Sequence, residues 1–263
     1  KKEKNNTLIV LAAGGTGGHV FPAEALATEL IKRGFRLMLV TDRRGVSLKG
    51  RLSELETYRV MAGGIAGKGF FARVFSTIKI LVGTFQAWSL LRRIKPAVVV
   101  GFGGYASVPT MLAAAYSGTR SAIHEQNAVL GRANRLLAGH VEKIAISFDK
   151  VSSIPESLQK NTIVTGMPVR PSVVMAREKD YPNLDYQCDI SLVVLGGSQG
   201  ARIFSKVLPN ALKLVKESLR KRIKITQQSR PEDRDVTEAH YRSLGVRANI
   251  SNFFDDIPYR IAN

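Results

Sequence analysis

The segment Leu8-Ile9-Val10-Leu11-Ala12-Ala13-Gly14-Gly15-Thr16-Gly17-Gly18-His19 decides the fold. Its apolar run is too short for a helix and reads as a buried strand. Glycines and a hydroxyl then break the run, and Ala23–Arg33 carries helical apolar spacing. Strand, glycine turn and helix form the opening of a parallel α/β unit. The same order returns at Ile190-Ser191-Leu192-Val193-Val194-Leu195, followed by Gly196-Gly197-Ser198-Gln199-Gly200 and a helical stretch. A repeat of this kind predicts two similar nucleotide-type domains in tandem.

Outward from the first segment, Thr7–Ala12, Arg36–Thr41, Ala97–Val100, Ser121–His124, Lys143–Ser147 and Thr162–Val164 read as short apolar strands. Helical patterns such as Val108–Tyr116 lie between them. This alternation predicts parallel strands joined by right-handed crossovers, a doubly wound α/β sheet. Prolines at 168, 171 and 182, in a polar and charged stretch, mark a linker. The expected division is a first domain over 1–166, a linker over 167–187 and a second domain over 188–263. In the second domain the pattern gives strand Ile190–Leu195, a helix from about Arg202 to Leu219 and strand Lys224–Gln228. A sheet that small leaves a face and an edge uncovered, so the chain is expected to be part of a longer protein.

At 263 residues and 44% hydrophobic, the chain can bury a real core, which excludes disordered and fibrous classes. One cysteine, Cys188, excludes an internal disulfide framework and a cysteine-built zinc site. The 39 Lys and Arg against 21 Asp and Glu give a net charge of +18, which calls for an anionic partner: nucleic acid, membrane surface or phosphate-bearing substrate. Lys1 to Lys4 before an apolar run resembles a signal peptide, but Leu8–Ala13 is shorter than its apolar core. Val74–Leu91 is interrupted by Lys79 and Gln86 and makes a poor spanning helix.

Three glycine clusters carry the chemistry: Gly14–Gly18, Gly101-Phe102-Gly103-Gly104-Tyr105, and Gly196–Gly200. Each follows a strand and precedes a helical pattern. Glycine lets the backbone approach a ligand, and a helix N-terminus then offers amide donors and a positive dipole end. Thr16 and Ser198 add hydroxyls. No cluster is a full dinucleotide fingerprint, and Gly63–Gly69 departs from a P-loop at Ala62 and Gly69. His124-Glu125-Gln126-Asn127 follows a strand directly, so it should face a cleft or a capped turn rather than the core. Arg170 is either a linker charge or a diphosphate clamp. Asp233-Arg234-Asp235 reads as a solvated loop or helix start, and His140 and His240 as exposed. Phe70, Phe71, Val74, Phe75, Ile78, Val82, Phe85 and Trp88 recur at helical steps, flanked by Lys68, Arg73, Lys79, Arg92, Arg93 and Lys95. Two readings stand for this stripe: a core-facing helix with basic flanks, which fits much of it, or a surface for an anionic membrane.

Taken in series, Gly14-Gly-Thr-Gly-Gly-His-Val-Phe-Pro-Ala, Gly101-Phe-Gly-Gly-Tyr, His124-Glu-Gln-Asn, Thr165-Gly-Met-Pro-Val-Arg170 and Gly196-Gly-Ser-Gln-Gly-Ala resemble the MurG family. These are bacterial N-acetylglucosaminyltransferases that convert lipid I to lipid II in peptidoglycan synthesis. The resemblance implies a GT-B fold, two Rossmann-like doubly wound parallel-sheet domains, the second incomplete here. It implies UDP-GlcNAc as donor and lipid I as acceptor. It also implies a peripheral position on the cytoplasmic face of the bacterial inner membrane, against its anionic surface, with no cofactor, no metal and no nucleic acid. By matching position it makes Thr16, Gly17, Gly18, Asn127, Arg170, Ser198 and Gln199 donor contacts, with Phe254 beside the uracil. His19, Tyr105, Glu125 and Asn134 fall on catalytic or acceptor positions, His19 as the leading base and Glu125 as the runner-up. Met167 stands where the family usually has Asn, and the family's ribose-binding Glu and Gln-rich donor loop lie beyond this chain. Against this reading stand another GT-B transferase, a basic nucleic-acid-binding protein and an inactive truncated product.

Overall fold

The computed structural model describes residues 6–42, 50–64, 69–180, 185, 188–197 and 200–263. They fall into two compact units, Lys1–Arg170 and Pro171–Asn263.

The first unit runs β1 (Leu8–Ala12), α1 (Gly17–Lys32), β2 (Arg36–Asp42), β3 (Glu56–Val60), α2 (Phe70–Ile94), β4 (Val98–Gly101), α3 (Val108–Tyr116), β5 (Ser121–Glu125), α4 (Arg132–Leu137), β6 (Lys143–Ile146) and β7 (Thr162–Val164). Its sheet has the order β3-β2-β1-β4-β5-β6-β7, with every pairing parallel. Successive side chains on a strand point to opposite faces, so β1 feeds two cores. Val10 and Ala12 join Leu90, Leu91, Met111 and Ile123 on the α2–α3 side. Ile9 and Leu11 join Val20, Ala23 and Ala27 of α1 on the other.

Helix α1 begins at Gly17, ahead of the expected Ala23. Glycine and proline weigh against a helix on propensity alone. Here Gly17, Val20 and Pro22 are buried, and packing overrides the local preference. Strand β3 was not anticipated; among the described residues it pairs only with β2, at the sheet edge, and its Glu56-Thr57-Tyr58-Arg59 is too polar to read as an apolar run. Helix α2 turns Ser76, Ile80, Gly83, Ala87, Leu90 and Leu91 inward. A Cβ on Gly83 would collide with the Met61 carbonyl, so glycine lets the helix approach the chain leaving β3. The Phe71–Phe85 stripe therefore faces away from the core, which settles its orientation against the core-facing reading.

The second unit holds α5 (Pro171–Arg177), β8 (Ile190–Val194), α6 (Arg202–Lys213), α7 (Glu217–Arg220), β9 (Ile223–Gln228), α8 (Pro231–Ser243), β10 (Arg247–Ser251) and α9 (Ile257–Ala262). Its parallel sheet has the order β10-β9-β8 around Leu212, Ile225, Tyr241 and Ile250. The single helix expected over Arg202–Leu219 ends instead at Lys213. Leu214 is 90% exposed and leaves the face that Ser205, Pro209 and Leu212 bury, so the apolar register is lost there. The Asp233-Arg234-Asp235 segment lies in the first turns of α8, where Asp233 pairs with Arg202 at 3.3 Å.

Candidate active site

Strand order reverses direction beside β1: β2 lies on one side of it and β4 on the other. In a parallel sheet the carboxyl ends of two such strands open a crevice that cannot be filled by crossover helices. The first two glycine clusters leave β1 and β4 at that crevice. A Cβ on Gly14 would lie 2.7 Å from Ala106 Cβ and 2.7 Å from Thr41 Oγ1, so the turns meet at contact distance. Gly103 and Gly104 have φ of 82° and 72°. Side chains there would be strained, and they would press to 3.2 Å from Asn134 and 3.0 Å from the His19 ring. The second glycine cluster thus clears the room that His19 and Asn134 occupy.

The resulting cleft of about 270 Å³ is lined by His19, Tyr105, Glu125, Asn127 and Asn134 together with Gly103 and Gly104. Five of the residues expected from the sequence to be catalytic or substrate-binding thus line it, whereas Thr16, Gly17, Gly18 and Arg170 are not among its lining residues. Thr16 precedes α1, and its carbonyl accepts the His19 and Val20 amides. Gly17 is buried against the Phe21 ring, whereas Gly18 is exposed. The Arg170 guanidinium stacks over Phe21 at 4.3 Å from the ring centroid, which brings it to the first turns of α1.

Glu125, 1% exposed, is at the centre of a closed network. Its Oε1 accepts the Asn127 amide at 3.0 Å and Asn127 Nδ2 at 2.9 Å. Its Oε2 accepts the Gly131 amide at 2.8 Å and Asn134 Nδ2 at 2.9 Å. A carboxylate has about four lone-pair sites, and all are taken. These four bonds tie Glu125 into the turn between β5 and α4. Asn134 also donates to the His124 carbonyl at 3.1 Å. Its Oδ1 is buried without a partner among the described residues.

Two members of the His-Glu-Gln-Asn run to which the sequence assigns no individual role complete the site. Gln126 Oε1 lies 3.1 Å from His19 Nδ1, and Gln126 Nε2 lies 3.1 Å from His124 Nδ1. His124 Nε2 lies 3.1 Å from the Gly166 carbonyl. Burial holds the His124 imidazole below its ordinary range, outweighing the Gly166 carbonyl and the Glu125 charge, which push the other way. The alternation of a strand end was the available signal: side chains two apart share a side, so His124 pairs with Gln126 and Glu125 with Asn127.

The remaining expected donor contacts belong to the second unit. Ser198 and Gln199 lie outside the described residues, between Gly197 and Gly200, whose φ values are 75° and 72°. Phe254 is buried, with the Arg260 guanidinium 4.6 Å from its ring centroid. His140 and His240 are exposed. Among the described residues no three His, Cys, Asp or Glu side chains cluster as a metal site.

Comparison with known proteins bears on this geometry. Residues 9–146 match the glycosyltransferase family 28 N-terminal domain, and residues 191–263 match the family 28 C-terminal domain. The chain is 55% identical to a protein of Paramagnetospirillum magneticum over 97% of this chain and 69% of that protein. It is 51% identical to a protein of Rhodospirillum rubrum over 96% and 65%. Both carry the name UDP-N-acetylglucosamine–N-acetylmuramyl-(pentapeptide) pyrophosphoryl-undecaprenol N-acetylglucosamine transferase. Among solved structures, MurG of Acinetobacter baumannii superimposes with a TM-score of 0.69 at 28% identity, over 97% of this chain and 71% of that one. The glycosyltransferase of kitacinnamycin, at 13% identity and a TM-score of 0.62 over 97% and 73%, shares the fold alone. The chain spans about two thirds of the length of the curated relatives it matches.

Proposed function

The chain belongs to glycosyltransferase family 28, and from that premise we infer that it transfers N-acetylglucosamine from UDP-GlcNAc to the MurNAc 4-hydroxyl of lipid I, forming lipid II. The observation that carries the reading is the convergence of His19, Tyr105, Asn127 and Asn134 on one cleft at the switch point of the sheet.

His19 Nε2 removes the proton of the acceptor hydroxyl, and the freed oxygen attacks the anomeric carbon opposite the diphosphate. The bond from that carbon to the diphosphate oxygen breaks with inversion, and UDP carries away the electron pair. The charge growing on UDP needs fixed donors. Thr16, the amides of Gly17 and Gly18, and Arg170 supply them at the start of α1, where a helix N-terminus favours an anion. Ser198, Gln199 and Phe254 serve the donor from the second unit. Asn134 Oδ1 takes an acceptor hydroxyl, Tyr105 lines the acceptor side, and Glu125 holds Asn127 and Asn134 in place. Incubation of the protein with radiolabelled UDP-GlcNAc and a lipid I analogue tests this. Labelled disaccharide lipid is expected; no label with UDP-GlcNAc, but label with another nucleotide sugar, would assign a different transferase.

The acceptor is anchored in a bilayer, and the outward face of α2 suits the anionic cytoplasmic surface of that bilayer. Phe71 is 86% and Phe85 67% exposed, with Phe75, Ile78 and Leu81 between them. Arg73, Arg92, Arg93 and Lys95 are exposed around them, and Lys79 sits over the Phe75 ring at 4.3 Å. Helix α2 is long and apolar enough to cross a membrane by length and composition. Its opposite face is packed into the core, so it lies along a membrane surface instead. Flotation with liposomes decides: binding that rises with anionic lipid and falls with salt is expected, and binding indifferent to both would remove the electrostatic part.

A further inference from the structure

The polarity of the hydrogen-bond chain behind His19 can be worked out atom by atom. Backbone carbonyls, which can only accept, anchor it at two points. His124 Nε2 faces the Gly166 carbonyl oxygen at 3.1 Å, so Nε2 carries a proton and donates it. Burial favours the neutral His124 imidazole, and its Nδ1, facing the Gln126 amide nitrogen at 3.1 Å, carries the lone pair. Gln126 Nε2 faces the His124 carbonyl oxygen at 2.9 Å, and only the amide nitrogen is tolerated there. Its second hydrogen goes to His124 Nδ1 at 3.1 Å. Gln126 Oε1 is then the atom turned to His19 Nδ1, at 3.1 Å. An amide oxygen only accepts, so His19 Nδ1 must be the donor.

The other nitrogen of His19 keeps its lone pair. That edge of the ring lies against Gly103 and Gly104: a Cβ on Gly104 would be 3.3 Å from His19 Nε2. Among the described residues Nε2 has no hydrogen-bond partner, and the ring lines the cleft. We propose that His124 and Gln126 are positioning residues, which hold His19 in the Nδ1–H tautomer so that Nε2 is free to take the acceptor's hydroxyl proton. This rests on the assignment of His19 as base; the tautomer itself does not.

The arrangement matters because a free neutral imidazole in water carries its proton mainly on Nε2. Without Gln126, the prevailing form would present a donor where the reaction needs an acceptor. On proton capture the ring becomes an imidazolium with both nitrogens protonated. The Gln126 oxygen still accepts from Nδ1, and the proton on Nε2 passes to water after the product leaves. The chain ends on the carbonyl of Gly166, whose φ of 73° turns the backbone at the exit from β7.

Nitrogen NMR of the four imidazoles, at a pH where they are neutral, reads the tautomers directly. Opposite forms are expected in one protein: Nδ1–H in His19 and Nε2–H in His124, with exposed His140 and His240 as references. Gln126→Leu should move His19 to the Nε2–H form and lower kcat about tenfold, with KM for both substrates unchanged. A wild-type His19 protonated on Nε2 overturns the proposal, and so does a folded Gln126→Leu protein with unchanged tautomer and kcat. If Gln126→Leu does not fold, the wild-type spectrum decides. Normal kcat in His19→Ala would instead overturn the reaction role of His19, whatever the tautomer.

Discussion

At the carboxyl end of β5 the chain buries His124, Glu125, Gln126 and Asn134, none more than 5% exposed. Along α2 it leaves Phe71, Phe75, Leu81 and Phe85 in solvent. Both regions invert the ordinary partition, in which polar side chains go out and large apolar ones go in, and such inversions are the informative ones. They are built differently. The buried cluster is held by mutual hydrogen bonds, each member needing the others, and should fail as a unit. The α2 face is a row of exposed side chains joined by separate ring contacts, Lys79 on Phe75 and Phe85 on Trp88, and should fail by increments. The first region is proposed to meet the reacting hydroxyl and the second a lipid surface. Substitutions should therefore separate chemistry from membrane attachment.

The largest effect is expected at His19. Removal of a general base costs about a hundredfold to ten-thousandfold in rate, so His19→Ala should lower kcat about a thousandfold while liposome binding is unchanged. Steady-state kinetics beside flotation would show it; a parallel loss of both would dissolve the separation. Next is Glu125. In Glu125→Ala the buried Asn134 side-chain amide and the half-buried Gly131 amide lose their carboxylate acceptor. Unpaired buried donors are costly, and the variant should lose about 3 kcal/mol in denaturant unfolding, besides activity. A Glu125→Ala protein of normal stability but no activity would mean that the carboxylate acts on substrate and not on the turn.

On the other side of the comparison, Phe71→Ser should weaken lipid binding about tenfold, as the loss of one buried aromatic predicts, and Phe85→Ser should add to it independently. Unfolding midpoints should stay unchanged, because neither ring is buried in the protein. Vesicle sedimentation with calorimetry checks both. A fall in stability would show that the face is covered by protein and return it to the core-facing reading.

How far each region could be read from the sequence follows from the kind of interaction that forms it. The parallel sheet was legible because its central strands are buried on both faces and read as unbroken apolar runs. Edge strand β3 has one neighbour and a polar sequence, and no such run marks it. In α2 the periodicity located the stripe but not its direction, because the packed face mixes small residues, Ser76, Gly83 and Ala87, with Ile80, Leu90 and Leu91. In the cleft, glycine spacing pointed to Thr16–His19 and Gly101–Tyr105. The His-Glu-Gln-Asn run announces polar chemistry, yet nothing in it shows that His124 and Gln126 are the members that reach the ring of His19. Which pair turns toward which partner depends on α1 meeting β5 across the sheet end, a contact 107 residues apart in the chain.

The smallest expected effect is a pH dependence confined to the buried cluster. His124 is held below the ordinary histidine value of 6.5, burial outweighing the Gly166 carbonyl and Glu125. Below 6.5 the unfolded chain binds a proton at this position that the folded chain refuses. The unfolded state then holds more protons, and stability declines as pH falls from 6.5 toward the depressed folded value. Above 6.5 both states are neutral here, and the contribution is flat. His19 and Glu125 face the same cluster, so the test is a difference: chemical unfolding of wild type and His124→Gln across this range. The substitution should flatten the acid side of the curve relative to wild type, whereas an α2 variant such as Phe85→Ser should leave its shape untouched. Parallel curves for wild type and His124→Gln would show that the imidazole can take up its proton without leaving the fold. The tautomer chain behind His19 would then be softer than its distances imply.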